Sequence, residues 1–153
     1  MSNQSSKTQT RLQSINEFLE DIYGHPRRLS DILRDAGLGE DEITRLRRDH
    51  LDAFLARLLR RWRSWMAEIL PSRRDDIIIR RYKLNNSPRP SLADLGDEYG
   101  VSRERVRQLE KSALKRLRHP ARRSRLERIA VETAREIFGG SDRGGCDCPR
   151  TRC

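Results

Sequence analysis

Cysteine, aromatic residues and long apolar runs are all scarce in this chain of 153 residues. Its three cysteines, Cys146, Cys148 and Cys153, all follow residue 145, which does not indicate a disulfide-stapled secreted fold and agrees with a reducing compartment. No run of about 18 apolar residues occurs, and the first residues lack the apolar stretch of a secretory signal. The sequence therefore predicts a cytoplasmic protein with no membrane partner.

Residues that carry catalysis or hold cofactors are also sparse. The three histidines, His25, His50 and His119, are dispersed and have no carboxylate pairing that suggests acid/base chemistry. No glycine loop that could cradle a phosphate occurs, and the cysteine spacing fits no common zinc motif. We expect no enzyme activity, no cofactor and no metal site, and we interpret 139–153 as a flexible tail.

Charge is abundant instead. Charged residues make up 37% of the chain against 35% hydrophobic residues, and the formal net charge is +10. Such a balance favours an anionic partner, and nucleic acid is the leading candidate, in which case the protein would lie with the nucleoid.

Hydrophobic periodicity predicts an all-α fold in which a small N-terminal helical bundle precedes a helix-turn-helix domain. The predicted divisions are a disordered segment 1–9, a helical region 10–70 for interaction or oligomerisation, a DNA-binding domain 71–138 and the tail 139–153.

One long helix is predicted from residue 41 to residue 70. Part of its apolar stripe has the spacing of a coiled-coil seam, and these positions are Leu51, Leu55, Leu58, Trp62, Trp65 and Ile69. Because further apolar residues widen the stripe, burial within the chain's own bundle is favoured over a homodimer or polymerase-subunit interface through 41–70. Core packing is likewise favoured over stacking of the two tryptophans on unpaired bases.

The helix-turn-helix is predicted around Gly100. Ser91 has the character of an N-cap, with Asp94 completing a capping box, and Ser102 caps the following helix, which extends to about Arg118. On a helix of 3.6 residues per turn, one side of that second helix is aliphatic and can pack against the first, through Val106, Leu109, Ala113 and Leu117.

The opposite side of this second helix presents Arg103, Glu104, Arg107 and Gln108. Arginine can bond guanine through two parallel hydrogen bonds, glutamine can do the same for adenine, and glutamate can accept from the amino group of cytosine. These side chains lie near the helix N-terminus, the end that recognition helices direct into the major groove. A merely solvated face is the alternative.

The segment SLADLGDEYGVSRERVRQLEKSALKRLRHPAR resembles region 4 of the sigma-70 family of bacterial RNA polymerase sigma factors, and LPSRRDDIIIRRYKL resembles the helix before it. The resemblance covers roughly residues 70–123. It implies binding to the minus-35 promoter element and to the flap of the polymerase beta subunit.

Carried over to matching positions, the resemblance implies base contacts from the four side chains already named. Basic residues around them and the helix start at Ser91 would contact phosphates, and these positions are Ser91, Arg80, Arg81, Lys111, Lys115 and Arg118. Ile77, Ile78 and Tyr82 would either contact the flap or belong to the core.

Residues 1–70 contain no counterpart of the aromatic-rich helices with which sigma factors melt the minus-10 element. This absence argues against a full initiation factor. From the region 4 resemblance we expect a sigma factor or sigma-like factor that acts with RNA polymerase in transcription initiation or its regulation. One alternative is a dimeric operator-binding regulator that works without polymerase. Another is a flap-binding protein that redirects or inhibits transcription.

Overall fold

The computed structural model describes residues 2–71, 73–85 and 87–139, and in this part of the chain helices joined by turns and loops are the only regular secondary structure, with no strand. Eight helices follow one another: α1 (Ser2–Tyr23), α2 (Leu29–Asp35), α3 (Glu40–Asp49), α4 (Leu51–Ile69), α5 (Arg74–Arg81), α6 (Leu92–Tyr99), α7 (Arg103–Leu117) and α8 (Pro120–Gly139). The predicted all-α class is confirmed. The three cysteines and residues 140–153 of their predicted tail lie outside the described residues, while Gly139 is the last residue of α8.

Helix α1 begins at Ser2, so the prediction that residues 1–9 are disordered is wrong for residues 2–9. That stretch is polar but contains neither glycine nor proline, so no residue in it interrupts a helix. Thr8 is only 7% exposed, and its hydroxyl donates to a carboxylate oxygen of Asp52 at 3.4 Å. A tertiary contact therefore anchors a segment that composition alone assigns to disorder.

The helix predicted over 41–70 is interrupted at His50, which has non-helical backbone angles (φ −131°, ψ 11°) and separates α3 from α4. The bend allows Ile43 of α3 and Phe54 of α4 to be buried in the same core. The ring of His50 packs edge-on against Phe138 of α8, with centroids 6.3 Å apart. Periodicity could not show this break because the apolar positions keep helical spacing on both sides of it.

One hydrophobic core joins the N-terminal helices to α8. Its largest fully buried side chain is Trp62 of α4, whose indole nitrogen donates to the backbone oxygen of Leu126 in α8 at 3.2 Å. Ala113 and Leu117 of α7 belong to the same core. The core therefore crosses the boundary predicted at residue 70, and α8 packs mainly on α4 and α2.

The apolar stripe of α4 faces this core. Leu55, Leu58 and Trp62 are each 0% exposed, and Trp65 is 9% exposed. The stripe is therefore not available as a homodimer interface through 41–70, because its residues are buried in the core of the same chain. Stacking of the two tryptophans on unpaired bases is excluded in this conformation for the same reason.

Two kinds of feature, a membrane-spanning helix and a metal-binding cluster, are absent from the described ranges. No helix there is both long enough and apolar enough to cross a bilayer. No group of three or more histidine, cysteine, aspartate or glutamate side chains there could hold a metal ion.

Candidate nucleic-acid interface

Helices α6 and α7 form a helix-turn-helix in which both N-termini carry the predicted serine caps. The Ser91 hydroxyl accepts from the backbone nitrogen of Asp94 at 3.0 Å, and the Asp94 carboxylate accepts from the Ser91 nitrogen at 3.3 Å. Ser102 accepts from the backbone nitrogen of Arg105 at 3.0 Å. Gly100 ends α6 with a φ of +71°, a left-handed conformation that favours glycine. The capping residues read from the sequence are confirmed.

The start of α7 lies close to α6 because α6 carries a buried glycine, Gly96, where the two approach each other. A Cβ atom placed on Gly96 would lie 2.7 Å from the backbone oxygen of Val101 and 3.3 Å from the nitrogen of Arg103. Only a hydrogen atom at this position allows the start of α7 to approach α6 so closely. This role was not predicted from the sequence, in which a glycine inside a predicted helix is the available signal.

We expect Gly96→Ala to lower the free energy of unfolding by about 1–3 kcal/mol, since the added methyl group meets rigid backbone. Urea denaturation followed by circular dichroism measures this loss. Gly39→Ala is the matched control, because a Cβ there meets only Glu42 Oε1 at an ordinary 3.7 Å. An equal loss in both variants would show that the close approach of α6 and α7 is unimportant.

The aliphatic side of α7 faces inward, as predicted. Val106 is 0% exposed and Leu109 is 9% exposed, and both pack against Leu95 of α6 and Ile77 of α5 in a small core of their own. Leu92 and Tyr99 close its edges. This small core fixes which side of α7 remains in solvent.

The polar side of α7 is exposed along Arg103, Glu104, Arg107 and Gln108. Glu104 and Arg107 form a two-point ion pair, with the Nε–Oε1 distance at 2.9 Å and the Nη2–Oε2 distance at 2.5 Å. The hydrogen bonds and charge of Arg107 hold the pKa of Glu104 below its usual value, so Glu104 is ionised near neutral pH. The arrangement presents both donors and acceptors on the exposed side of the N-terminal half of α7.

The family model described as "Sigma-70, region 4" matches residues 67–119. This segment is a sigma-70 region 4 domain. Region 4 is a DNA-binding part of sigma factors, not a catalytic one, and binds the minus-35 element. The match ends just before α8 begins, so α1 to α3, most of α4 and the whole of α8 lie outside it.

Two curated relatives are sigma factors. The RNA polymerase sigma factor SigA of a Bacillus species is 36% identical over 76 residues, which are 50% of this chain and 20% of that protein. SigA of Clostridium acetobutylicum is 34% identical over 76 residues, with the same coverage of both chains. The chain thus spans about a fifth of the length of these relatives. No solved structure matches the chain significantly.

Three of the positions expected to contact phosphates around region 4 are exposed. Lys111 and Lys115 lie on α7 itself, and Ser91 lies at the N-terminus of α6. The N-terminus of a helix attracts anions through its free backbone N–H groups and its dipole.

The three arginines of that set already have partners in the protein. Arg81 of α5 pairs with Glu110 of α7 at 3.0 Å, both side chains being only about 15% exposed, and it also donates to the Pro90 oxygen at 3.0 Å. Arg80 pairs with Glu98, and Arg118 donates to the backbone oxygen of Asp21 at 3.0 Å. We therefore assign Arg81 to bracing α5 against α7 and no longer expect it to bind phosphate.

The predicted flap contact of the region 4 segment is wrong for Ile77 and Ile78, because both are 0% exposed. Because Ile77 and Ile78 belong to a run of three consecutive isoleucines, hydrophobic periodicity could not show which of them are buried and which are exposed. Tyr82 is half-buried against Phe18 of α1, with ring centroids 5.3 Å apart, and its hydroxyl donates to the Asp21 carboxylate. Burial raises the pKa of Tyr82, so this hydroxyl stays protonated and available as a donor.

Supporting contacts of the region 4 segment escaped the sequence analysis. The Tyr99 hydroxyl donates to the Asp76 carboxylate, which ties the end of α6 to α5. Arg73 lies over the Tyr99 ring at 5.0 Å and donates to the Tyr99 backbone oxygen at 3.2 Å. Partial burial raises the pKa of Asp76. No sequence signal identifies such pairs, since their members lie more than 20 residues apart.

Proposed function

We propose that this chain binds a minus-35-like promoter element by placing the N-terminal half of α7 in the major groove. We further propose that it acts in transcription initiation or its regulation with bacterial RNA polymerase, as a sigma factor or sigma-like factor. The observation that carries the proposal is the division of α7 into a buried aliphatic side and an exposed side with Arg103, Glu104, Arg107 and Gln108. Because of that division, the four polar side chains are accessible to the base edges of DNA.

Roles can be proposed for the exposed groups from their chemistry. Arg103 and Arg107 suit guanine, and Gln108 suits adenine. Lys111, Lys115 and the N-terminus of α6 at Ser91 would contact phosphates, which supply affinity and register more than sequence information. The net charge of +10 supports a polyanionic partner.

The polymerase partner is inferred from the relatives, which are named as RNA polymerase sigma factors. Capture of purified core polymerase by the whole chain tests this part of the proposal, and the isolated beta flap provides a second bait. Binding of core polymerase is the expected result. DNA binding without polymerase binding would favour a regulator that acts on operators alone.

Gel shifts on minus-35-like and scrambled duplexes test the DNA part. We expect a clear preference for the minus-35-like duplex. A chain that binds polymerase but shows no preference would be a flap-binding protein that redirects or inhibits transcription. Sedimentation of the free chain tests the remaining alternative, because a dimeric regulator would sediment as a dimer. We expect a monomer, since the α4 stripe that would form the dimer is buried.

We expect Lys115→Ala to weaken binding to all duplexes alike and to reduce the slope of log K against log salt by about 0.9. The reason is that an exposed lysine on α7 would neutralise one phosphate without touching a base edge. Fluorescence anisotropy over a salt series measures both quantities. Arg60→Ala, which removes one exposed cation from α4, is the control and should leave the slope unchanged. Loss of preference for the minus-35-like duplex would contradict the phosphate role of Lys115.

A further inference from the structure

Glu104 and Arg107 are tied to each other on the exposed side of α7, three residues apart. Nε and Nη2 of Arg107 contact the two carboxylate oxygens of Glu104 at 2.9 and 2.5 Å. Their side chains remain 59% and 45% exposed, so the pair projects into solvent and does not belong to the core. Exposed pairs of this kind add little to folding stability. Folding stability therefore does not explain why the pair lies on the proposed reading surface, the exposed side of α7 that carries Arg103, Glu104, Arg107 and Gln108.

A guanidinium group has two edges that can each make a pair of parallel hydrogen bonds. Glu104 occupies the edge formed by Nε and Nη2 of Arg107. On the other edge, formed by Nη1 and Nη2, Nη1 donates no hydrogen bond to any atom of residues 2–71, 73–85 and 87–139. That second edge matches the O6 and N7 acceptors that guanine presents in the major groove.

Electrostatics near DNA also favours an ion pair of Glu104 and Arg107 over two side chains that contact bases separately. A lone carboxylate near DNA is repelled by phosphates, whereas Glu104 paired with Arg107 forms a neutral unit. A hydrogen bond from Gln108 and the charge of Lys111 add further favourable interactions with the Glu104 carboxylate. Glu104 therefore remains ionised within a basic surface, where it can hold the guanidinium in one orientation.

We propose that Glu104 is a positioning residue that fixes Arg107 with its Nη1/Nη2 edge directed at a guanine, so that the two side chains recognise one base pair as a unit. This inference rests on the proposed function, because it assigns roles within the same reading surface. It replaces the expectation that Glu104 itself contacts a base. Fixing a flexible side chain before binding removes part of the entropy cost of ordering it on DNA.

The test is a double-mutant cycle on DNA preference. Binding of the whole chain is measured for a minus-35-like duplex and for duplexes carrying each single base-pair substitution, with Glu104→Ala, Arg107→Ala and the double variant. We expect Arg107→Ala to lose roughly 5- to 150-fold of preference at one base pair. Glu104→Ala should lose roughly two- to tenfold at that same base pair, and nothing further in the Arg107→Ala background.

Two further variants separate positioning from other effects. Glu104→Gln keeps an acceptor but not the charge, so an intermediate loss is expected at the same base pair. Glu132→Ala removes one exposed carboxylate from α8 and controls for the general gain in affinity that follows loss of a negative charge. A purely structural role of Glu104 would lower affinity for every duplex and shift the thermal midpoint, and would leave the preference unchanged.

The inference is overturned if Glu104→Ala relaxes a different base pair from Arg107→Ala and the losses add in the double variant. In that case Glu104 reads a base directly. Failure of the proposed function is a distinct result, because the wild-type chain would then show no preference among the duplexes at all.

Discussion

Replacing Trp62 by alanine should lower the free energy of unfolding by about 3–5 kcal/mol, which is the loss typical of a large aromatic residue removed from a core. Trp62 is fully buried against Phe18, and its indole N–H bonds the Leu126 oxygen of α8. The substitution leaves both a cavity and a backbone oxygen without its donor. Urea denaturation followed by circular dichroism measures the change.

The same experiment tests whether the helix-turn-helix is part of one core. Because Ala113 and Leu117 of α7 share the core with Trp62, we expect one cooperative transition, with DNA binding lost along the same curve. Trp62→Phe is the control: it keeps most of the packing and loses about 1 kcal/mol for the hydrogen bond. Two separate transitions, with DNA binding retained after the first, would show instead that region 4 folds independently.

Replacing Arg103 by alanine should remove about 1–3 kcal/mol of discrimination at one base pair, since a bidentate contact between arginine and guanine contributes that much. Arg103 lies exposed in the first turn of α7, where recognition helices approach base edges. Anisotropy titrations on the set of single-substitution duplexes measure the effect position by position.

Arg60→Ala removes the same side chain from an exposed position on α4 and serves as the control for Arg103→Ala. It should leave the order of preference among duplexes unchanged. The base-reading assignment fails if Arg103→Ala weakens matched and scrambled duplexes by the same factor, because Arg103 would then contact only phosphate.

The sequence predicted the helix-turn-helix well because its signals are local. Ser91, Gly100 and Ser102 act through atoms within four residues of themselves, and the aliphatic spacing of α7 fixes which side is buried. The exposed positions of Arg103 and Gln108 follow directly from that spacing. These features needed no knowledge of the rest of the chain.

The wrong predictions concern contacts between residues far apart in sequence. Periodicity shows that Leu55 and Trp62 are buried but not what buries them, and the partner proves to be α8 instead of a second copy of the chain. Arg81 carries a charge that suggests phosphate, yet its position opposite Glu110 depends on how α5 crosses α7. Such choices are made by packing, which the one-dimensional pattern does not contain.

The N-terminal half also supports the proposed reading helix physically. Asp21 of α1 accepts from Tyr82 through its carboxylate and from Arg118 through its backbone oxygen, and Arg118 directly follows α7. Asp21, which lies outside the region 4 match, thus contacts the chain both before the helix-turn-helix, at Tyr82, and directly after it, at Arg118. These contacts from α1 therefore help to hold α7 in its orientation.

The most direct test of the account is the affinity of the whole chain for a minus-35-like duplex in which single guanines are replaced by 7-deazaguanine. This base lacks the N7 acceptor in the major groove but still pairs normally. The account predicts a loss of affinity at particular guanines, and this loss should disappear when Arg103 and Arg107 are replaced by alanine. Unchanged affinity at every guanine would contradict major-groove reading by the exposed side of α7.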